Sequence, residues 1–346
     1  MNPTLVDLFC GSGGLSYGFQ KSGFNVALGI DNWNDALATF SNTHLSSIGV
    51  LDNLATADPA SIHRLHSKKM KDVAIIVGGP PCQGFSISGK REIDDPRNQL
   101  YLGFVRFVQY FRPPVFVMEN VPNLVAMGKG LVKDKILDDF TKLGYKVSYK
   151  VLLASNYGVP QNRKRAFLVG STDKCFDFSR LTQSKLVTVE EAIADLPEDA
   201  VEEGSHYPSS SMSAYQSLMR TKSSGIFNHE ITQHTQKTKD IIALVPDGGN
   251  YKNLPIELQQ TRKVNIAWTR LNSQKPSFTI DTGHRHHFHY KYNRVPTVRE
   301  SARIQSFPDT FVFSGKKTSQ YSQVGNAVPP LLAQEIARQV REQYGL

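Results

Sequence analysis

Short apolar runs alternate with amphipathic stretches through the first half of the chain. Thr4–Phe9 (TLVDLF), Asn25–Ile30 (NVALGI), Val73–Val77 (VAIIV) and Val115–Met118 (VFVM) are dominated by apolar residues, the pattern of strands covered on both faces. Between them, Asn34–Phe40 and Asn98–Phe111 place apolar residues at helical spacing. Such alternation predicts an α/β fold with a doubly wound, largely parallel sheet. Val147–Leu153 and Arg165–Gly170 are expected to add an antiparallel hairpin. After Thr172 the texture changes. Val187–Pro197 (VTVEEAIADLP) predicts one short acidic helix, and Glu203–Phe227, rich in Ser and Gly, predicts loops on an irregular domain. Thr297–Ser306 and Pro330–Gln343 return to helical spacing, the second with a proline start signal. Neither an internal repeat nor a low-complexity tract is evident.

With 346 residues and 38.6 kDa, the chain has room for one large domain and a smaller one, or two of moderate size. Hydrophobic residues at 40% and charged residues at 21% exclude disordered and fibrous classes. Cys10, Cys82 and Cys175 form an odd set without CxxC spacing, which argues against a disulfide framework or zinc site and for a reducing cytoplasm. The segment MNPTLVDLF has neither a basic start nor a long apolar run, so no signal peptide is expected. No stretch of ~18 apolar residues suggests a membrane span. The net charge of +9, with pI ≈ 9.3, points to a polyanionic partner.

Candidate chemistry gathers at the strand ends. Thr4–Phe9 runs into Gly11-Ser12-Gly13-Gly14, glycines that let backbone approach a ligand at a helix start. The next strand ends in Asp31, suited to the ribose hydroxyls of an adenosine cofactor. The pattern admits NAD, FAD or S-adenosylmethionine (SAM). It is not GxGxxG, and no donor cluster awaits a pyrophosphate, which tilts the choice to SAM. Gly78-Gly79-Pro80-Pro81-Cys82-Gln83 places a thiol in a stiff turn at the end of VAIIV, before a glycine-bearing stretch, Gly84–Lys90. This reads as a nucleophile, whereas Cys10 and Cys175 read as inert. Glu119 closes the strand PVFVMENV, where desolvation favours a neutral carboxyl able to donate a proton. In NYGVPQNRKR, strand alternation puts Arg163 and Arg165 on one side, a guanidinium pair for a base or phosphate. His284–His289 (HRHHFH) lacks the spacing of a metal site and is read as a loop near an anionic ligand.

Taken together, these segments resemble the DNA (cytosine-5)-methyltransferase family of the prokaryotic restriction-modification type. The matches run in that family's order: DLFCGSGGLSYGF, GGPPCQGFS, ENV, QNRKR, RESARIQSFPD and QVGNAVPP. They span nearly the whole chain except Thr172–Lys263. The resemblance implies a Rossmann-like SAM-dependent methyltransferase fold, a catalytic domain of residues 1–171 and 322–346, and a small domain of 172–321. Target recognition would occupy about 172–263. It further implies a SAM site of Phe9, Ser12, Gly13, Gly14, Asp31 on the ribose, Trp33 near the adenine, Asp52, Pro81, Leu100, Asn326 and Val328. Asp31 stands where the family usually has Glu, and Asp58 is an alternative to Asp52. Cys82 would attack carbon 6 of cytosine, Glu119 would act at N3, Arg165 at O2, and Arg163 would support the site. Ser86, Lys90 and Arg91 would meet the DNA backbone on a loop closing behind a flipped base. No metal is required.

The resemblance therefore implies methylation of double-stranded DNA by a monomer in the bacterial cytoplasm, nucleoid-associated through its DNA, with a cognate restriction endonuclease acting separately. A tRNA cytosine-5 methyltransferase is the alternative, although that branch's Cys-Phe-Thr tripeptide is absent. Charge supports a nucleic-acid partner: Arg220–Arg294 holds 12 basic and 5 acidic residues, net +7, with six of the ten histidines. This excess is expected to face DNA.

Overall fold

A computed structural model describes residues 2–81, 99–259, 268–282 and 287–346. In chain order the elements are β1 (Thr4–Leu8), α1 (Gly14–Lys21), β2 (Asn25–Asp31), α2 (Asn34–Thr43), β3 (Ile48–Leu51), α3 (Pro59–His66) and β4 (Val73–Gly78). Then come α4 (Gln99–Phe111), β5 (Val115–Asn120), α5 (Asn123–Ala126), α6 (Leu131–Lys142), β6 (Lys146–Leu153) and β7 (Lys164–Ser171). Next are α7 (Val189–Ile193), α8 (Ala214–Arg220), α9 (Gln236–Ala243), α10 (Ile256–Gln259), β8 (Thr269–Arg270) and β9 (His287–Phe288). The chain ends with α11 (Val298–Ile304), α12 (Lys317–Asn326) and α13 (Pro330–Tyr344).

Contacts divide the chain into two compact units, residues 1–153, 164–182 and 330–346 in the first, 154–163 and 183–329 in the second. The sequence reading sets its limits at 171/172 and 321/322 instead.

The first unit is built on a sheet of order β3-β2-β1-β4-β5-β7-β6. Strands β1 to β5 pair in parallel, and β7 runs antiparallel to both β5 and β6. All the expected strands form, the hairpin included. The strand order turns back between β1 and β4, which opens a crevice at their carboxyl ends. The register Leu8↔Gly78 puts the glycine loop after β1 beside the Pro-Pro turn after β4. One side of the sheet carries a core of Val6, Leu8, Leu28, Ile30 and Ile76 with Phe104 and Phe107 of α4 and Phe140 of α6. Phe116 of β5 joins Phe140 at 4.1 Å between ring centroids. Each such buried ring contributes about 2–3 kcal/mol by area. Helix α13 returns to this unit, its Gln334 carbonyl accepting from Ser22 Oγ at 3.0 Å and Arg341 donating to the Ser22 carbonyl at 2.8 Å. The sequence pattern missed β3, α3 and α6. β3 is four residues long without a fully buried one, and α6 fully buries Ile136 and Phe140 alone.

The second unit is held largely by arginines. Arg303, inaccessible to solvent, donates to Asp309 at 2.6 Å, Asp195 at 3.1 Å and the Ala192 carbonyl at 3.0 Å. Arg299 donates to the carbonyls of Phe227, Pro308 and Phe311. Glu300 accepts both Nη atoms of Arg294 at 2.7 and 2.8 Å. Thr297 starts α11 with a capping box, its hydroxyl on the Glu300 amide and the Glu300 carboxylate on its own. A second cluster of Ile241, Ile242, Val245, Leu254, Trp268, Phe288 and Val295 surrounds Arg270. That guanidinium donates to the carbonyls of Ile242, Val245 and His289 and to Asn293 Oδ1. The stretch 203–227, read as loops, contains α8, started by Ser213 Oγ accepting from the Gln216 amide at 3.0 Å. Its polar composition hides a helix that buries Tyr215, Gln216 and Met219.

Candidate active site

The loop from β1 to α1 is strained into shape. Phe9, Gly11 and Gly13 all have positive φ, at 60°, 52° and 91°. Phe9 is the notable one, because a side chain rarely adopts that conformation. Two residues from the neighbouring β2–α2 segment hold this loop. Asp31 accepts the Gly11 amide at 2.8 Å on one carboxylate oxygen and the Trp33 amide at 2.9 Å on the other. Burial raises its pKa while these amides pull it down. His44, at the end of α2, lies with Nε2 3.2 Å from the Gly13 carbonyl and Nδ1 3.1 Å from the Gln20 side-chain amide. It is fully buried, and desolvation pushes its pKa down to about 4. The ring is therefore neutral at pH 7; the Gly13 carbonyl can only accept, so Nε2 carries the proton, and the Gln20 amide turns its NH2 towards Nδ1. A Cβ on Gly13 would lie 2.5 Å from that nitrogen. Glycine is needed there both for its φ and for the ring beside it.

Asp52 and Asp58 separate cleanly. The Asp52 amide donates to the Asp31 carbonyl at 3.0 Å, placing Asp52 beside Asp31 where β2 and β3 end. Asp58 is exposed and accepts the Ala60 and Ser61 amides at the start of α3. Its hydrogen bonds from Ser61 and Ala60 lower its pKa. Ser12 Oγ and both carboxylate oxygens of Asp7 are buried with no hydrogen-bond partner among the described residues. Buried polar atoms of this kind are satisfied by a bound polar molecule. An acidic pair, an uncapped helix start at Gly13 and a loop without a cation fit an adenosine cofactor that carries positive charge and lacks phosphates.

A second group surrounds the Pro-Pro turn. Asn120 Nδ2 donates to the Pro80 carbonyl at 2.8 Å, pinning the turn two residues before Cys82 onto β5. Glu119, 8% exposed, pairs with Arg165, whose Nε lies 2.9 Å from Glu119 Oε1. Burial lowers the Arg165 pKa and the Glu119 charge raises it. The expectation of a carboxyl kept neutral by burial thus meets a competing cation. A Cβ on Gly79 would stand 3.0 Å from Glu119 Oε2, so the glycine admits the carboxyl to the turn. Pro81 is exposed, and Leu100 sits half-buried in the first turn of α4. Cys82, Ser86, Lys90 and Arg91 lie outside the described residues. Asn120 is the residue that sequence reasoning missed, although the ENV segment contained the signal.

The expected pairing of Arg163 with Arg165 does not occur. Strand β7 begins at Lys164, so the alternation that would align them is absent. Arg163 belongs to the second unit, is wholly buried, and donates to the carbonyls of Ile280 at 3.1 Å and Gly325 at 2.6 Å. It thus braces the turn that carries Asn326, which ends α12 and is exposed, and Val328, which is buried. Gln161 bonds Gln305, and Gln305 Nε2 reaches the Ala327 carbonyl at 2.7 Å, joining three sequence motifs inside this unit.

The histidine run also departs from its reading. His289 is 1% exposed, and its Nδ1 accepts the amides of Lys291 and Tyr292 at 3.0 and 3.1 Å. Burial lowers its pKa to about 4, which makes it a neutral core residue and not a contact for an anion. Phe278, 45% exposed, stacks on His287. His284 and His286 are outside the described residues. Among the described residues no group of His, Cys, Asp and Glu is placed to hold a metal ion.

Comparison with known proteins follows the same line. The model of the C-5 cytosine-specific DNA methylase family matches residues 4–342. Type II methyltransferase M.DdeI of Desulfomicrobium norvegicum is 40% identical, over 97% of this chain and 88% of its own length. Type II methyltransferase M1.HphI of Haemophilus parahaemolyticus is 38% identical, over 98% and 87%. Among solved structures, a putative DNA modification methyltransferase encoded within an E. coli prophage superimposes with a TM-score of 0.83 at 26% identity, over 100% of both chains.

Proposed function

The chain belongs to the C-5 cytosine-specific DNA methylase family, and we propose that it methylates cytosine in a specific duplex sequence by covalent catalysis through Cys82. It is a DNA (cytosine-5)-methyltransferase, and relatives named as Type II methyltransferases favour DNA over the tRNA alternative. The observation that carries the mechanism is the Glu119–Arg165 pair beside a turn tied down by Asn120.

Carbon 5 of cytosine is a weak nucleophile. SAM, when bound, supplies an electrophilic methyl group and no metal is called for. The Cys82 thiolate adds to carbon 6, and the electron pair displaced towards N3 leaves carbon 5 electron-rich. Glu119 meets that developing charge by protonating or hydrogen-bonding N3, and Arg165, held by Glu119, donates to O2. After transfer, carbon 5 gives up its proton and Cys82 leaves, regenerating the thiolate and the aromatic ring. Phe9, Ser12, Gly13, Gly14, Asp31, Trp33, Asp52, Pro81, Leu100, Asn326 and Val328 hold the cofactor. Arg163 supports the site. A stacked base cannot reach Cys82, so the cytosine is flipped at a cost of a few kcal/mol, with Ser86, Lys90 and Arg91 contacting the backbone. Residues 1–171 and 322–346 form the catalytic domain, and the small domain of 172–321 reads the target.

The protein acts as a monomer in the bacterial cytoplasm, protecting DNA against a separate endonuclease. No helix among the described residues is long and apolar enough to cross a membrane. Duplex carrying 5-fluorocytosine at the target traps the adduct, because fluorine does not leave as a proton. With SAM, the wild-type protein should shift covalently on a denaturing gel, and Cys82→Ala should not. A wild-type protein that methylates ordinary duplex yet forms no adduct would rule out the covalent route.

A further inference from the structure

We propose that Gln161 and Gln305 form a buried amide relay that sets the cofactor turn, residues 326–328, from the backbone at Ile280; this rests on the reading above that Asn326 and Val328 hold the cofactor. Every group in the relay belongs to the second unit. Residues 160–163 meet 277–280 at a parallel bridge, the Ser277 amide donating to the Pro160 carbonyl at 2.9 Å and the Asn162 amide to the Ser277 carbonyl at 2.8 Å. Alternation exposes Asn162 and turns Gln161 and Arg163, both inaccessible to solvent, to the interior. There the two side chains take both backbone groups of Ile280. Gln161 Oε1 accepts its amide at 3.0 Å, and Arg163 donates to its carbonyl at 3.1 Å. Gln161 Nε2 donates to Gln305 Oε1, and Gln305 Nε2 donates to the Ala327 carbonyl at 2.7 Å. Gln305 is itself wholly buried, fixed where α11 ends by its amide on the Ser301 carbonyl at 3.0 Å. With Arg163 on Gly325, side chains hold the carbonyls on either side of Asn326.

The relay has one direction. The Ile280 amide can only donate and the Ala327 carbonyl can only accept, so each glutamine amide has a single orientation that satisfies the chain. A displacement of Ala327 breaks a hydrogen bond to a buried amide, where its loss is costly. Gly325 keeps the turn close to the same segment, since a Cβ there would stand 2.6 Å from the Asp281 carbonyl oxygen. Gln161 and Gln305 are positioning residues: they touch backbone, and they act on the cofactor through Asn326 and Val328. Glutamines that served packing alone would be replaceable by unbranched apolar side chains without consequence for the cofactor.

A double-mutant cycle on the full chain separates the two roles. Gln161→Met, Gln305→Met and the pair are titrated with SAM in a calorimeter and assayed on unmethylated genomic DNA. Each single variant should bind SAM about tenfold more weakly. The pair should bind no more weakly than either, because a chain broken at one link is already broken. KM for SAM should rise by the same factor, while kcat at saturating SAM changes far less. Additive losses, unchanged SAM affinity, or a fall in kcat without a rise in KM overturn the proposal. Wild-type protein supplies a separate reading should a variant fail to fold. Amide exchange in residues 275–282 should slow when SAM binds without DNA, and exchange there unaltered by SAM overturns the proposal. Wild-type protein that binds no SAM would refute the cofactor reading, and the relay with it.

Discussion

His44 depends on which of its nitrogens bears the proton. Its neutral ring donates to the Gly13 carbonyl and so supports the loop that Asp31 holds from the other side. The folded pKa is about 4 against an ordinary 6.5, with burial as the first cause. Because the folded value is depressed, this contribution to stability is complete above pH 6.5 and is lost as pH falls towards 4. Unfolding free energies from urea titrations between pH 7 and pH 4 should decline over that window by up to about 3 kcal/mol from this residue. His44→Phe, which keeps an aromatic ring against Phe40, should remove that part of the decline. His289 acts in the same direction, so a residual slope should remain in the variant. His44 could not be singled out from the sequence. A lone histidine in SNTHL has no motif around it, and its role arises from a carbonyl 31 residues away.

The β1–α1 loop shows how an element can be legible while its support is not. The run FCGSGG announced a tight loop at a helix start, and glycines at φ 52° and 91° bear that out. Phe9 at φ 60° was not foreseen, since nothing in its type favours that conformation. Gly13 combines two demands, and Gly13→Ala should therefore lose at least about 2 kcal/mol. It should also weaken SAM binding, because the new methyl group must displace both His44 and Phe40 from beside the loop. Thermal unfolding with and without SAM checks both; an unaltered midpoint would contradict the crowding seen at 2.5 Å. Short elements escaped the sequence for a related reason. β3, α5 and α10 each span four residues, too few for a period to declare itself. Their positions follow from neighbouring elements that pair with or cover them.

Over the whole molecule, the excess charge looks different once burial is known. Of the basic residues in Arg220–Arg294, Arg220 pairs with Asp195, Arg294 with Glu300, and Arg270 holds backbone carbonyls. These three brace the second unit and do not face a partner, a correction to the view that the excess there faces DNA. Lys222, Lys237, Lys239, Lys252, Lys275 and Lys291 are exposed, while Arg262, Lys263 and Arg285 lie outside the described residues. Binding to target duplex should weaken with salt at a slope of about −0.9 per phosphate neutralised. Replacing the six exposed lysines together by glutamine should flatten that slope without lowering the unfolding temperature. Arg270→Gln should do the reverse, destabilising the protein through carbonyls left unpaired. A variant lacking these six lysines with an unchanged slope would place the DNA contacts elsewhere. The sequence by itself determined the α/β sheet, the cofactor loop and the family, because buried parallel strands and chemically constrained turns use few residue types at fixed spacing. The tertiary structure alone decided which arginines brace the fold and that Glu119 is paired with the Arg165 guanidinium. Those properties depend on burial and on atoms brought together from distant parts of the chain, and local pattern records neither.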